Sequence, residues 1–185
     1  TNDSWAYAWY DENWKSPKQI LERLIACVGR GGTYMLNIGP RGDGSVSLRC
    51  AESLRAAGDW IARYPQVVYD VEGSPWQHAM PWGDVTRKDQ TLFLSVFQWP
   101  SSGELYVPNI QQDVKRAKLL RDSESVDLEC ERRGKHVVIK VPAKAPDLLA
   151  SVIELNFTEN PTIDPVLTID PEAITRLPVE FADVE

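Results

Sequence analysis

The spacing of apolar residues along the chain changes once, near residue 84. Before it they recur with a helical period; after it they alternate. Ile20, Leu21, Leu24, Ile25 and Val28 fall on one face of a predicted helix. Ser16 is its N-cap, Pro17 suits the first helical position, and Gln19 completes a capping box. Gly29, Gly31 and Gly32 end it. Thr33 to Ile38 reads as a short, mostly buried strand, and Gly39-Pro40-Arg41-Gly42-Asp43-Gly44 as a turn-rich loop. A second helix is expected from about Ser47 to Tyr64, with Leu48, Ala51, Leu54, Gly58 and Ile61 inward and Pro65 as its stop. Helix, strand, loop and helix in that order suit an α/β domain with a parallel sheet. A lone parallel strand needs neighbours, and none is evident nearby. That gap, and an opening on Thr1 instead of Met, point to a missing N-terminal portion.

Beyond residue 84 the expected strands are Thr91–Trp99, Glu104–Pro108, Val114–Leu120, Ser125–Glu131, Lys135–Val141 and Ser151–Phe157. Their spacing and their Gly- and Ser-rich turns suit an antiparallel β-sandwich. The period along His136–Val141 places His136 at a surface position. Residues 159–185 hold Pro161, Pro165, Pro171 and Pro178 with many acids and one base, Arg176. They read as an extended acidic linker or tail; an extra strand on the sandwich is the alternative. The expected division is 1–78, 79–158 and 159–185.

Composition narrows the function classes. A net charge of −7 over 185 residues, with scattered basic residues, argues against a nucleic-acid partner. The cluster Lys115, Arg116, Lys118 and Arg121 reads as a solvated strand face. No stretch approaches the ~20 apolar residues of a membrane helix. Cys27, Cys50 and Cys130 are too few and too far apart for a disulfide scaffold or zinc site. His78 and His136 lack further ligands at metal spacing, so neither metal nor cofactor is expected.

The candidate chemistry lies in the opening loop. Trp5, Tyr7, Trp9, Tyr10 and Trp14 crowd a polar segment, and such rings suit the C–H faces of sugars. Filling a gap between loop and domain is the competing explanation. Asp3, Asp11 and Glu12 stand nearby, and glycoside hydrolysis needs paired carboxylates, although acids in a polar loop are usually solvated. The Gly39–Gly44 loop matches neither the dinucleotide nor the P-loop spacing. Arg41-Gly42-Asp43 spells an adhesion tripeptide that a plain turn explains as well. No Gly-x-Ser-x-Gly elbow is present.

Several segments together resemble the α-L-fucosidases of glycoside hydrolase family 29. Asn2-Asp3-Ser4-Trp5-Ala6-Tyr7 is similar to the family's N-D-S-W-G-Y, and Ser16-Pro17 with its helix to the S-P-x-x-L-I that follows. Gly31-Gly32-Thr33-Tyr34-Met35-Leu36-Asn37-Ile38-Gly39-Pro40 resembles G-G-N-x-L-L-N-I-G-P, continued by Gly42-Asp43-Gly44. Gly58-Asp59-Trp60-Ile61 and Ser74-Pro75-Trp76 resemble G-x-W-L and x-P-W. The likeness covers about residues 1–158.

The resemblance implies an α+β fragment: the last βα segment of a (β/α)8-like barrel followed by an antiparallel β-sandwich. It implies the C-terminal portion of a retaining fucosidase acting on terminal α-L-fucose of glycans or glycoconjugates. The fragment's first partner would then be the N-terminal barrel portion of the same protein. The catalytic Asp and Glu would lie N-terminal to Thr1, so no catalytic residue is assigned here and the fragment alone is expected to be inactive. Trp5 matches an aromatic position near the sugar pocket, and Tyr7 follows as a second substrate-binding candidate. Ala6 replaces the family's Gly, which matters if that position needs a positive φ. Secretion or a periplasmic location is implied by the resemblance alone. The rival reading is a non-catalytic carbohydrate-binding or structural β-sandwich module.

Overall fold

The computed structural model describes residues 1–121 and 124–164. Two helices pack on one side of a two-layer β-sandwich. Helix α1 (Pro17–Val28) starts with the expected capping box, as the Ser16 hydroxyl accepts from the Gln19 amide and the Gln19 side chain accepts from the Ser16 amide. It buries Ile20, Leu21 and Ile25. Helix α2 (Leu48–Arg63) is capped by Ser47 and followed by one 3-10 turn at Pro65–Val67. Its inward face is rotated from the expected one. Cys50, Ala57 and Trp60 are buried, whereas Leu48 and Gly58 are exposed.

The antiparallel strands are β1 (Gly83–Lys88), β2 (Thr91–Val96), β3 (Glu104–Val107), β4 (Arg116–Leu120), β5 (Val126–Leu128), β6 (Cys130–Arg133), β7 (His136–Lys140) and β8 (Ser151–Asn156). One sheet runs β1-β2-β8-β4-β5 and the other β3-β7-β6. The alternation after residue 84 therefore marks a true sandwich. The expected strand at Ser125–Glu131 is two strands, β5 and β6, which join different sheets on either side of Glu129. Strand β1 is an addition: Asp84 and Thr86 are polar but buried. Arg30 pairs with Asp84 at 2.8 Å, and the Thr86 hydroxyl donates to the Val67 carbonyl at 2.8 Å.

Strand β2 is buried on both faces, and this joins the helices to the sandwich. Leu92, Leu94 and Val96 point between the sheets, with Leu105, Val107, Val137, Ile139, Ile153 and Leu155. Phe93 points the other way, and with Phe97 and Val152 it meets Leu21, Ile25 and Trp60 of the helices. The Trp60 indole N–H donates to the Ala150 carbonyl at 2.8 Å, so the largest ring of that layer is buried without a lost hydrogen bond.

Thr33–Ile38 does not form the expected strand. A β-strand exists only when a neighbour takes up its backbone groups, and no described segment lies beside this one in a ladder. The apolar residues are there, but Met35 and Ile38 face outward. The tail begins in order: Ile163 bridges Ile110, and the Asp164 amide donates to the Asn109 carbonyl at 2.8 Å. Residues 165–185, the rest of the predicted linker, lie outside the described residues.

Candidate functional site

The opening loop is organised by one carboxylate. Asp11 accepts from the backbone amides of Ser4 at 2.8 Å, Asp3 at 3.1 Å and Asn13 at 3.1 Å. Hydrogen bonding from Ser4, then from Asn13 and Asp3, holds the Asp11 carboxyl below its ordinary range. Asp3 accepts from the Asn13 side chain at 2.6 Å, and Lys15 donates to the Asn2 carbonyl at 2.9 Å. These acids tie the loop to itself. They do not face one another across a cleft as an acid–base pair would.

The loop is pressed against the segment before α2. The Asn37 side-chain amide donates to the Trp5 carbonyl. Gly39 sits so close that a Cβ there would lie 2.6 Å from the Tyr7 nitrogen and 2.7 Å from the Ala6 carbonyl carbon. Only glycine permits that approach, which lets Trp5-Ala6-Tyr7 lie directly against Asn37-Ile38-Gly39-Pro40. The Arg41 guanidinium lies 5.3 Å from the centre of the Tyr7 ring, a cation–π distance. Ala6 is not among the residues with positive φ, so alanine in place of the family's glycine carries no backbone strain.

Several apolar residues of this frame are exposed. Trp5 is 89% exposed, Met35 87% and Leu48 66%, and Trp9, Tyr10 and Ile38 are exposed as well. Tyr7 is half-buried under Arg41. Trp9 and Tyr10 meet edge to face with centroids 5.9 Å apart. Beside them Asn2 is buried, yet both polar atoms of its side chain lack a hydrogen-bond partner among the described residues. Buried amides nearly always have partners. The structure thus places Trp5 and Tyr7 in one loop, Trp5 outward and Tyr7 against Arg41. A structural role for Asn37 and the Gly39-Pro40 turn is what the sequence implies; their contacts with the Trp5 loop, and the roles of Asp11 and Arg41, have no such signal beyond the Asp-x-Asn spacing at Asp11.

Residues 1–66 match the family model described as alpha-L-fucosidase. The plasma α-L-fucosidase of Pongo abelii is 25% identical over 134 residues, covering 68% of this chain and 28% of its own length. The tissue enzyme of Rattus norvegicus is 32% identical over 107 residues, covering 55% and 21%. The chain is thus similar to α-L-fucosidases in its first 66 residues by the family model and over most of its length by these relatives. It spans about a quarter of the length of these two relatives. In three dimensions it is similar to the α-L-fucosidase of Vibrio sp. strain EJY3, with a TM-score of 0.75 and 26% identity over 92% of this chain and 30% of that one. A family 29 α-L-fucosidase from Bacteroides thetaiotaomicron, trapped as a covalent intermediate, gives a TM-score of 0.70 and 28% identity over 83% and 35%. The family-model match contains the Trp5 loop, α1, the Gly39 contact and α2.

Among the described residues, no group of three or more His, Cys, Asp or Glu is placed to hold a metal ion. No helix among them is long and apolar enough to cross a membrane.

Proposed function

We propose that this chain is the C-terminal portion of a retaining α-L-fucosidase that releases terminal α-L-fucose from glycans. In this reading residues 1–78 close a (β/α)8-like barrel and residues 79–158 brace it from outside. The observation that carries it is the exposure of the apolar residues Trp5, Met35, Ile38 and Leu48 within the segment that matches the family model. Exposed apolar patches of this kind mark surfaces that are covered in the assembled molecule. Thr33–Ile38 would become a strand once neighbouring barrel strands take up its backbone groups.

The chemistry needs one carboxylate to attack the anomeric carbon and a second group to protonate the departing oxygen and later activate water. Both are assigned to barrel residues outside this chain, consistent with Asp3 and Asp11 being engaged in shaping the loop. Trp5 contributes an apolar wall to the sugar pocket, and Tyr7, steadied by Arg41, supports the loop behind it. Fucose carries a methyl group at C6, and its removal from water against a ring is worth on the order of 1 kcal/mol.

Turnover of an aryl α-L-fucoside by the full-length protein tests the reading. Trp5→Ala is expected to raise KM several-fold with little change in melting temperature, while residues 1–185 alone show no turnover. Activity from residues 1–185 alone overturns the placement of the carboxylates. Greater activity on an aryl β-D-galactoside overturns the substrate. Export to the periplasm or medium is inferred from the family and is tested by cell fractionation; retention in the cytosol would refute it.

A further inference from the structure

The sandwich carries a second feature that the fucosidase reading does not use. A cleft of about 490 Å³ opens beside β3. It is lined by Trp82, Trp99 and Tyr106, with Gln98, Glu104 and His136 among its polar residues. We propose that this cleft is a carbohydrate-binding subsite that holds one or two neutral pyranose units of a glycan chain, separate from the Trp5 loop.

The aromatic rings are fixed before any ligand arrives. The Trp82 indole N–H donates to the Tyr106 carbonyl at 2.8 Å, and that of Trp99 donates to the Pro142 carbonyl at 2.7 Å. With their N–H groups engaged by backbone, what these rings can offer a ligand is apolar ring surface, chiefly from half-buried Trp99, since Trp82 is 8% exposed. Tyr106 is 46% exposed, and its hydroxyl donates to Glu104 at 3.0 Å. A sugar ring needs this combination, flat apolar surface for its C–H face and fixed polar groups for its hydroxyls.

Charge selects a neutral ligand. Glu104 is the carboxylate of the lining, and Arg133 already grips it through two nitrogens at 2.7 and 2.9 Å. A cation would have to displace that guanidinium, and an anion would meet the carboxylate. The hydroxyls of a pyranose can bond to the pair without disturbing it.

Strand geometry argues against a peptide. Strand β3 is a sheet edge, where an extended peptide would normally add. Its outward Tyr106 carbonyl is taken by Trp82, and the Pro108 carbonyl just beyond it accepts from the Trp76 indole at 3.2 Å. The edge is blocked by side chains.

The test is saturation-transfer NMR on residues 1–185 with lactose, N-acetyllactosamine and 2′-fucosyllactose. Transfer to at least one sugar is expected, with affinity falling about tenfold in Tyr106→Ala. Gln98→Ala, at an exposed position, should weaken it less. Tyr69→Ala, at an exposed aromatic outside both the cleft and the Trp5 loop, should leave it unchanged. Both cleft variants are expected to keep the parent's melting temperature. No transfer to any of the three sugars overturns the proposal. So does transfer that survives Tyr106→Ala, or that disappears in Tyr69→Ala. The site is independent of the catalytic assignment, because binding here is read without turnover.

Discussion

The two ends of the described chain treat their apolar residues in opposite ways. In the sandwich, Leu92, Leu94, Leu119, Ile153 and Leu155 are fully buried. In the first 48 residues, Trp5, Trp9, Tyr10, Met35, Ile38 and Leu48 face outward. The contrast runs through a single helix: α2 turns Trp60 into the shared core and leaves Leu48 exposed. Apart from Tyr106, Val126 and Leu148 the sandwich covers its own large apolar residues, while the loops on either side of α1 leave theirs outward.

Core truncation should show the largest difference. Leu94→Ala or Ile153→Ala removes methylene groups from fully buried sites and is expected to cost about 2–5 kcal/mol. Met35→Ala, at an 87% exposed site, should change stability by less than about 0.5 kcal/mol in residues 1–185. Urea unfolding of the two sets measures the contrast. Equal losses would show that the opening region is packed as tightly as the sandwich.

Next in size is the contact that joins the Trp5 loop to the segment before α2. In Gly39→Ala the new methyl would overlap the backbone of Ala6 and Tyr7, and the two segments must part at about 1–3 kcal/mol. Gly42→Ala, with nothing within 4 Å of its Cβ, is the matched control and should be near neutral. Amide chemical shifts of residues 4–8 should move in the first variant alone. Unchanged shifts in Gly39→Ala would break the loop geometry described above.

Local signals were legible where local forces decide. The capping box at Ser16 and Gln19 needs only neighbours in sequence, and α1 begins where it says. The alternation after residue 84 likewise marked the sandwich, because an apolar face every second residue suits little else. What failed depended on partners distant in sequence. Strand β1 was overlooked because Asp84 and Thr86 look like surface residues until Arg30 and Val67 are brought beside them. The inward face of α2 was misjudged because Leu48 is apolar yet exposed, while small Cys50 and Ala57 are buried. Thr33–Ile38 has the composition of a buried strand without the neighbours that would make it one. At the candidate site the aromatic residues were plain from composition, but the Gly39 approach and the Arg41 contact join residues more than 30 positions apart and leave no local signature.

A comparable effect is expected at the ion pair between Arg30, just past α1, and β1. Arg30 donates to Asp84 at 2.8 Å and to the Ala26 carbonyl at 2.7 Å, with Asp84 nearly buried. Arg30→Met leaves that carboxylate without its cation and should cost about 1–3 kcal/mol. Truncating both partners, Arg30→Met with Asp84→Leu, should recover part of the loss. A double variant as unstable as the sum of the two singles would mean that the pair is not coupled.

The smallest effect is a pH dependence confined to the opening loop. Asp11 has a folded-state pKa below its ordinary value, chiefly because of Ser4 and the neighbouring amides. A depressed carboxyl pKa contributes stability that is present above the unfolded value, about 3.9, and is lost as pH falls through the folded value. The loop should therefore loosen only in acid below that range, while the sandwich, whose core does not depend on Asp11, stays folded. Carbon-detected NMR titration of the Asp11 carboxyl should give a midpoint below about 3.9. The amides of Ser4 and Asn13 should shift with the same midpoint, since they donate to that carboxylate. In Asp11→Asn the acid transition of these amides should vanish at every pH, with the Leu94 and Ile153 signals unmoved. If those core signals titrate together with Ser4, the two regions unfold as one cooperative unit, and the contrast in apolar burial does not correspond to a contrast in stability.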